Sequence, residues 1–149
     1  MKVELATADD IGAWLALADE VGDLFGADMA HDDGFREGLM RNIQRGTAFC
    51  VRIDREFAGA MTFHNDSIHW LAVSKRFQHR GVGTLLVRHA TQAASAEVRV
   101  VTFGEGHPHP EASAARALYR GLGFVETHED PGAVPDNTPR EVLAWFSAS

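Results

Sequence analysis

The sequence predicts one α+β domain over residues 1–149, built on a mixed, mostly antiparallel sheet of about six to seven strands with about four flanking helices. Three observations point there. Three strand-patterned runs follow one another between Thr47 and Val73 with short polar breaks, which is the pattern of an antiparallel meander. Helix-, strand- and helix-patterned segments come next, and a crossover of that kind implies a parallel neighbour in the same sheet. With 45% hydrophobic and 23% charged residues, the chain can bury a core and is not disordered.

Taken in order, "KVEL" alternates polar and apolar and reads as a short first strand. Thr7 is suited to cap the helix of "ADDIGAWLALADEVGDLFG", with Asp9 and Asp10 in the first turn, where carboxylates suit the dipole. Ile11, Trp14, Leu15, Leu17, Ala18 and Val21 form its apolar stripe. A second helix runs from about Asp33 to Arg45, with Phe35, Leu39 and Ile43 on one face and Gly46 as its stop. "TAFCVRI", "FAGAMTFH" and "SIHWLAV" are the meander strands, and "DRE" and "ND" are their hairpin turns. "SIHWLAV" is apolar almost throughout, as a central strand covered on both faces would be. A helix over 81–96, a strand over 98–103, a helix over about 111–122 and strands near Phe124 and over 142–146 complete the chain. "HEDPGAVPDNTP" reads as a loop.

The formal net charge of −7 argues against a nucleic-acid partner. No apolar run approaches the ~20 residues of a membrane span, and "MKVELATADDIG" has no signal-like apolar region. The expectation is a soluble cytoplasmic protein. The single cysteine, Cys50, excludes an internal disulfide, and its strand context reads as a buried thiol rather than a nucleophile.

The most informative stretch is "FQHRGVGTLLVRHA", residues 77–90. Its glycines fall where the central strand turns into a helix, so backbone N–H groups and the helix dipole can meet an anion there. Arg76, His79 and Arg80 add local positive charge. Thr84 follows Gly83 without a lysine, unlike a Walker loop, and the GxGxxG spacing of a dinucleotide loop is missing. What remains is Q-x-x-G-x-G at Gln78, Gly81 and Gly83. The residues alone leave two readings: a phosphate-holding loop, or a glycine-rich turn with no ligand.

A second stretch, "ASAARALYRGLGF" (Ala112 to Phe124), lies one strand further on. Together, "LAV…QHRGVG…LL" and "A..LYRGLGF" resemble the GNAT superfamily of acyl-CoA-dependent N-acetyltransferases. The resemblance covers the order of elements along the chain and implies a small bacterial-type member. It implies that the central strand splays from its parallel neighbour, and that the pantetheine arm of acetyl-CoA lies in the gap against backbone groups of Leu71 and Val73. The pyrophosphate would rest on Gln78, His79, Arg80, Gly81, Val82, Gly83 and Thr84. Ser113 and Arg116 of the second motif are further expected cofactor contacts. Tyr119 matches the tyrosine that protonates the departing sulfur in many members. A phenol of pKa ~10 stays protonated near neutral pH and can serve a thiolate of pKa ~8.5. Its other reading is a residue packed beside Leu118 and Leu122. His69, the one ionisable side chain within the apolar central strand, is the candidate base for the amine, or else a satisfied, half-buried histidine. His64 is a second candidate. Backbone N–H of Leu71 or Ala72 would face the acyl oxygen. Where many members carry Asn, this chain has Ala112.

Two histidines in "GEGHPHPEAS", His107 and His109, lack the spacing of a metal site and read as a loop on the acceptor side. The expected reaction is acetyl transfer from acetyl-CoA to a primary amine by direct attack. The alternatives are a non-catalytic acyl-CoA-binding module and transfer of a longer acyl group. Asp32, Asp33, Asp66, Glu129, Asp130 and Asp136 fall in segments expected to border the acceptor and suggest a cationic amine. A homodimer through "EVLAWF" is conceivable.

Overall fold

A computed structural model describes residues 1–133 and 137–148. Seven strands form one sheet: β1 (Val3–Leu5), β2 (Ala48–Ile53), β3 (Glu56–His64), β4 (Ser67–Val73), β5 (Glu97–Phe103), β6 (Val125–Glu126) and β7 (Arg140–Phe146). Their spatial order is β1-β2-β3-β4-β5-β7-β6, and β4–β5 is the parallel pair. Five α-helices are described: α1 (Ile11–Glu20), α2 (Gly22–Phe25), α3 (Asp33–Arg45), α4 (Val82–Ala93) and α5 (Ala112–Gly121). This is the expected α+β mixed sheet, with one helix more than the sequence pattern suggests.

The extra helix comes from a break in the expected first one. Thr7 and Asp10 form a reciprocal cap around a single 3-10 turn, Ala8–Asp10, before α1 begins. Asp10 is buried and also pairs with Arg52 of β2, which Glu4 pairs with as well. At Val21 the helix stops and restarts as one turn, which closes on Gly26 in the left-handed region. There the chain doubles back, and the Ala27 N–H donates to the Gly22 carbonyl at 3.2 Å. By contrast, α3 occupies the expected span, with Asp32 accepting from the Gly34 N–H and Gly46 left-handed at its end.

The meander is tight because Asp54, Arg55, Asn65 and Asp66 all adopt positive φ, the two-residue hairpin geometry that matches strand twist. Alternation along the strands then splits the core between the two faces. Val51, Met61, Val98 and Leu143 pack with Leu86 and Val87 of α4 on one face. Cys50, Ala60 and Ala72 pack with Trp14, Leu17 and Leu39 of α1 and α3 on the other. "EVLAWF" falls within β7, which lies between β5 and the two-residue β6, so β6 is the terminal strand on that side. Among the described residues, no helix is long and apolar enough to cross a membrane.

Candidate active site

β4 and β5 stay in register only at Ser67–Arg99 and Ile68–Val100. Beyond Ile68 the ladder stops, while β5 continues on its other side against β7 as far as Phe103. A cleft of about 610 Å³ opens there, lined by Ile68 to Val73 and by Val100 to Phe103. The orientation of the free edge of β4 can be read from its bonded side. The Ser74 N–H donates to the Ala58 carbonyl on the β3 side. The Ala72 carbonyl faces the same way, 3.1 Å from where a side chain on Gly59 would begin. Strand alternation then turns the peptide groups of Leu71 and Val73 into the gap. Of the two backbone donors expected for an acyl oxygen, Leu71 therefore offers its N–H to the cleft and Ala72 offers it to β3.

At the mouth of the cleft, β4 passes through a 3-10 turn, Lys75–Phe77, into α4. Gly81 precedes the helix at φ 83°, and no side chain caps it. The first helical bond is from the Leu85 N–H to the Gly81 carbonyl, so the amides of Val82, Gly83 and Thr84 have no intrahelical acceptor. That suits an anion. Gln78, His79, Gly81, Val82, Gly83 and Thr84 all line the cleft. The glycines have different reasons to be there. Gly81 provides the left-handed turn. Gly83 provides room, since a Cβ would sit 2.9 Å from Leu118 of α5. Two further residues position this turn, and neither carries a local sequence signal. Gly59 in β3 lets Val82 settle onto the sheet. Glu20, at the end of α1, accepts from the Lys75 N–H at 2.8 Å and from the Ser74 hydroxyl at 3.1 Å. Both contacts join residues far apart in sequence.

Tyr119 lines the cleft from α5, its ring buried edge-on against Phe124 at 5.4 Å. Burial pushes its phenol well above the usual range, which keeps it protonated. Its hydroxyl has no hydrogen-bond partner among the described residues. His69 sits at a bulge: Thr62 faces Trp70 and Phe63 faces Ile68, which makes His69 the extra residue of β4. It is exposed rather than half-buried. Its Nε2 is 3.2 Å from the His64 carbonyl oxygen, which can only accept. The proton therefore belongs on Nε2, and Nδ1 carries the lone pair. His64 stacks on His69 at 3.9 Å. Its pKa is lowered by burial first, then by the charge of His69 and Arg45.

The remaining expected contacts lie apart from the cleft lining. Arg80 stands over the Phe77 ring at 5.6 Å, and the Ser113 hydroxyl is 3.4 Å from the Pro110 carbonyl. Arg116 pairs with Glu141 of β7 at 3.1 Å. Arg76 is matched by Glu56 at 2.9 Å. Ala112, standing where many members have Asn, is buried. Cys50 is fully buried, which pushes its thiol up to about 11 and removes it from nucleophilic chemistry. In the His-Pro loop, the Nδ1 of His107 accepts from the His109 N–H, and the Nδ1 of His109 accepts from the Glu111 N–H. Those nitrogens hold turns together.

On the side of α2 the cleft is aromatic and apolar. Phe25 stacks on Trp70 at 5.7 Å and meets Phe103 at 5.6 Å, while Leu24 and Met29 line the same side. The acidic residues expected to favour a cation are placed differently. Asp32 caps α3, Glu129 pairs with Arg99, Asp130 accepts from the Gly132 N–H, and Asp33 sits in the first turn of α3. Asp66 is in the hairpin turn, and Asp136 lies outside the described residues. None of the five described ones lines the cleft.

A half-split parallel pair, a glycine turn at a helix start and a buried tyrosine across the gap are features of an acyl-CoA-type transferase fold. Residues 44–126 match the family model for the acetyltransferase (GNAT) domain. The chain belongs to the GNAT acetyltransferase family. It is similar in fold to a GNAT-family acetyltransferase from Bacillus cereus, at 14% identity and a TM-score of 0.77 over 99% of this chain and 98% of that one. It is also similar to the PaiA N-acetyltransferase of Thermoplasma acidophilum in complex with coenzyme A, at 15% identity and a TM-score of 0.69 over 98% of each chain. A third likeness is to a ribosomal-protein-alanine N-acetyltransferase from Brucella melitensis, at 16% identity and a TM-score of 0.73 over 99% of this chain and 100% of that one. No match was found among curated proteins.

Proposed function

We propose that this protein transfers an acetyl group from acetyl-CoA to a primary amine by direct attack in a ternary complex. The observation that carries this reading is the continuity of the cleft. It runs from the free amides at the start of α4, past the open edge of Leu71 and Val73, to Tyr119 and His69.

Each part has a physical role. The amides of Val82 to Thr84 and the α4 dipole favour the pyrophosphate. The peptide edge of β4 at Leu71 and Val73 pairs with the amides of the pantetheine arm, and the Leu71 N–H favours negative charge on the acyl oxygen. Nδ1 of His69 takes a proton from the attacking ammonium. The amine nitrogen then forms the C–N bond as the C–S bond breaks. Tyr119, kept protonated by burial, gives its proton to the sulfur, and the second proton shed by the nitrogen restores the phenol. With Cys50 buried away from the cleft, no acyl-enzyme is needed.

Isothermal titration tests the reading. Acetyl-CoA should bind in the micromolar range, about −8 kcal/mol, with ATP silent. Absence of binding by acetyl-CoA would remove the proposal.

A further inference from the structure

A second cavity, of about 230 Å³, lies between α3 and strands β3 and β4. It shares only His69 and Trp70 with the larger cleft, so these two side chains form the wall between them. Its other sides are Trp14, Phe35 and Leu39, with Thr62 on β3. The rings are ordered around it: Trp14 stacks on Trp70 at 5.6 Å, and Phe35 meets Trp70 edge-on at 5.7 Å. The Trp70 N–H donates to the sulfur of Met29 at 3.3 Å.

Two features show that this space is shaped rather than left over. On its α3 side stand Gly34 and Gly38, where side chains would otherwise project. A Cβ on Gly38 would meet nothing but the end of Arg41 at 3.6 Å, and neither glycine needs its conformational freedom. Gly38 lies in the interior of α3, where glycine is costly. The second feature is Thr62. The residue is 7% exposed, and its hydroxyl has no hydrogen-bond partner among the described residues. The hydroxyl oxygen keeps some contact with solvent, so it is free to bond a polar atom of an occupant.

The size sets the class of occupant. An apolar cavity of about 150 Å³ holds a benzene ring. The 230 Å³ here holds one ring and a short tether. The tether would lead past His69 to the reacting end of the main cleft.

We infer that this cavity is the side-chain pocket for the acceptor. The acceptor class is a primary amine on a short tether from a single flat ring bearing a hydrogen-bonding substituent, which Thr62 reads. This rests on the acyl-transfer reading above and narrows the cationic amine expected from the sequence to one recognised by its ring rather than by the acidic residues, since none of the five described ones lines the cleft.

The test uses tyramine and 2-phenylethylamine as ring amines and spermidine as the polycation. Trp14 and Trp70 line the cavity, so amine binding is read from tryptophan emission without turnover. Acetyl-CoA binding is titrated separately. Gly38→Leu fills the cavity and improves helix propensity, so the variant should fold. It should weaken tyramine binding and raise its KM about tenfold or more, the scale of a methylene-sized misfit, with acetyl-CoA affinity unchanged. Thr62→Val should remove the preference for tyramine over 2-phenylethylamine. If acetyl-CoA binds normally but ring amines leave the emission unchanged, or bind Gly38→Leu as tightly, the inference is overturned and acyl transfer stands. Preferred acetylation of spermidine overturns it equally. Failure of acetyl-CoA to bind the unmodified protein removes the acyl-transfer reading, and the pocket's role as acceptor site with it.

Discussion

Gly59 lies in the middle of β3, away from the lining of the cleft, yet it should control cofactor affinity. A Cβ at this position would sit 2.6 Å from Cγ1 of Val82 and 3.1 Å from the Ala72 carbonyl oxygen. Carbon atoms pack at about 3.5–4.0 Å, so in Gly59→Ala the first turn of α4 must retreat by roughly 1 Å. The carbonyl belongs to the β3–β4 ladder and cannot move with it. Overpacking of this kind costs about 1–3 kcal/mol. Removing the glycine's freedom in the unfolded chain offsets only about 0.4–1 kcal/mol, so the steric effect wins. For a chain of this size the melting temperature should fall by about 2–10 °C. The larger effect should be on binding, because Val82 carries one of the amides proposed to hold the pyrophosphate. Loss of one charge-assisted hydrogen bond is about 1.5–3 kcal/mol, or roughly tenfold to a hundredfold in Kd. Thermal melting with acetyl-CoA titration measures both. A Gly59→Ala protein that melts no lower and binds acetyl-CoA as before would refute the claim that β3 sets the height of the helix start.

Three further outcomes are expected. Tyr119→Phe should lower kcat by about 10²–10⁴ with acetyl-CoA affinity unchanged, and should leave the melting temperature unchanged because the hydroxyl has no partner to lose among the described residues; an unaffected kcat would end the acid assignment. Glu20→Ala frees the Ser74 hydroxyl and the Lys75 amide, so acetyl-CoA affinity should fall several-fold, about 1 kcal/mol, in the same titration. The pKa of His64 is lowered in the fold, so its neutral form stabilises the protein above its unfolded value of about 6.5, and that stability is lost as pH falls through the folded value. Denaturant melts of His64→Phe should show a flatter acid limb than those of the parent protein; parallel limbs would contradict this.

Elements whose cause is local were legible in the sequence. α3 occupies its expected span because Asp32, the Phe35–Leu39–Ile43 face and Gly46 are all local signals. The meander followed from alternation and from turn residues that tolerate positive φ. What failed depended on contacts made across the fold. α1 ends early, where the chain doubles back through Gly22 and Gly26, and the helical stripe does not show that. Composition cannot show that Asp32, Glu129 and Asp130 are held by a helix cap, an ion pair and a turn. The glycine turn was visible, but Glu20 and Gly59, which position it, act over sequence distances that leave no local pattern. Thr62 reads as an ordinary strand residue until the hollow beside it is seen.

The seam between β4 and β5 has a mechanical consequence. Two residue pairs join a plate of four strands, β1 to β4, to a plate of three, β5 to β7. Outward-facing amides at Leu71 and Val73 have no neighbouring strand to shield them, so they should exchange their hydrogens with water much faster than that of Ala60, which faces Ala72 across the β3–β4 ladder. If acetyl-CoA binds as proposed, its pantetheine arm is a strand supplied from outside, and it fastens the two plates together. The amides that slow down on its arrival would trace its path, and the melting temperature should climb with its concentration. A protein divided along this line is completed as a sheet by its own substrate.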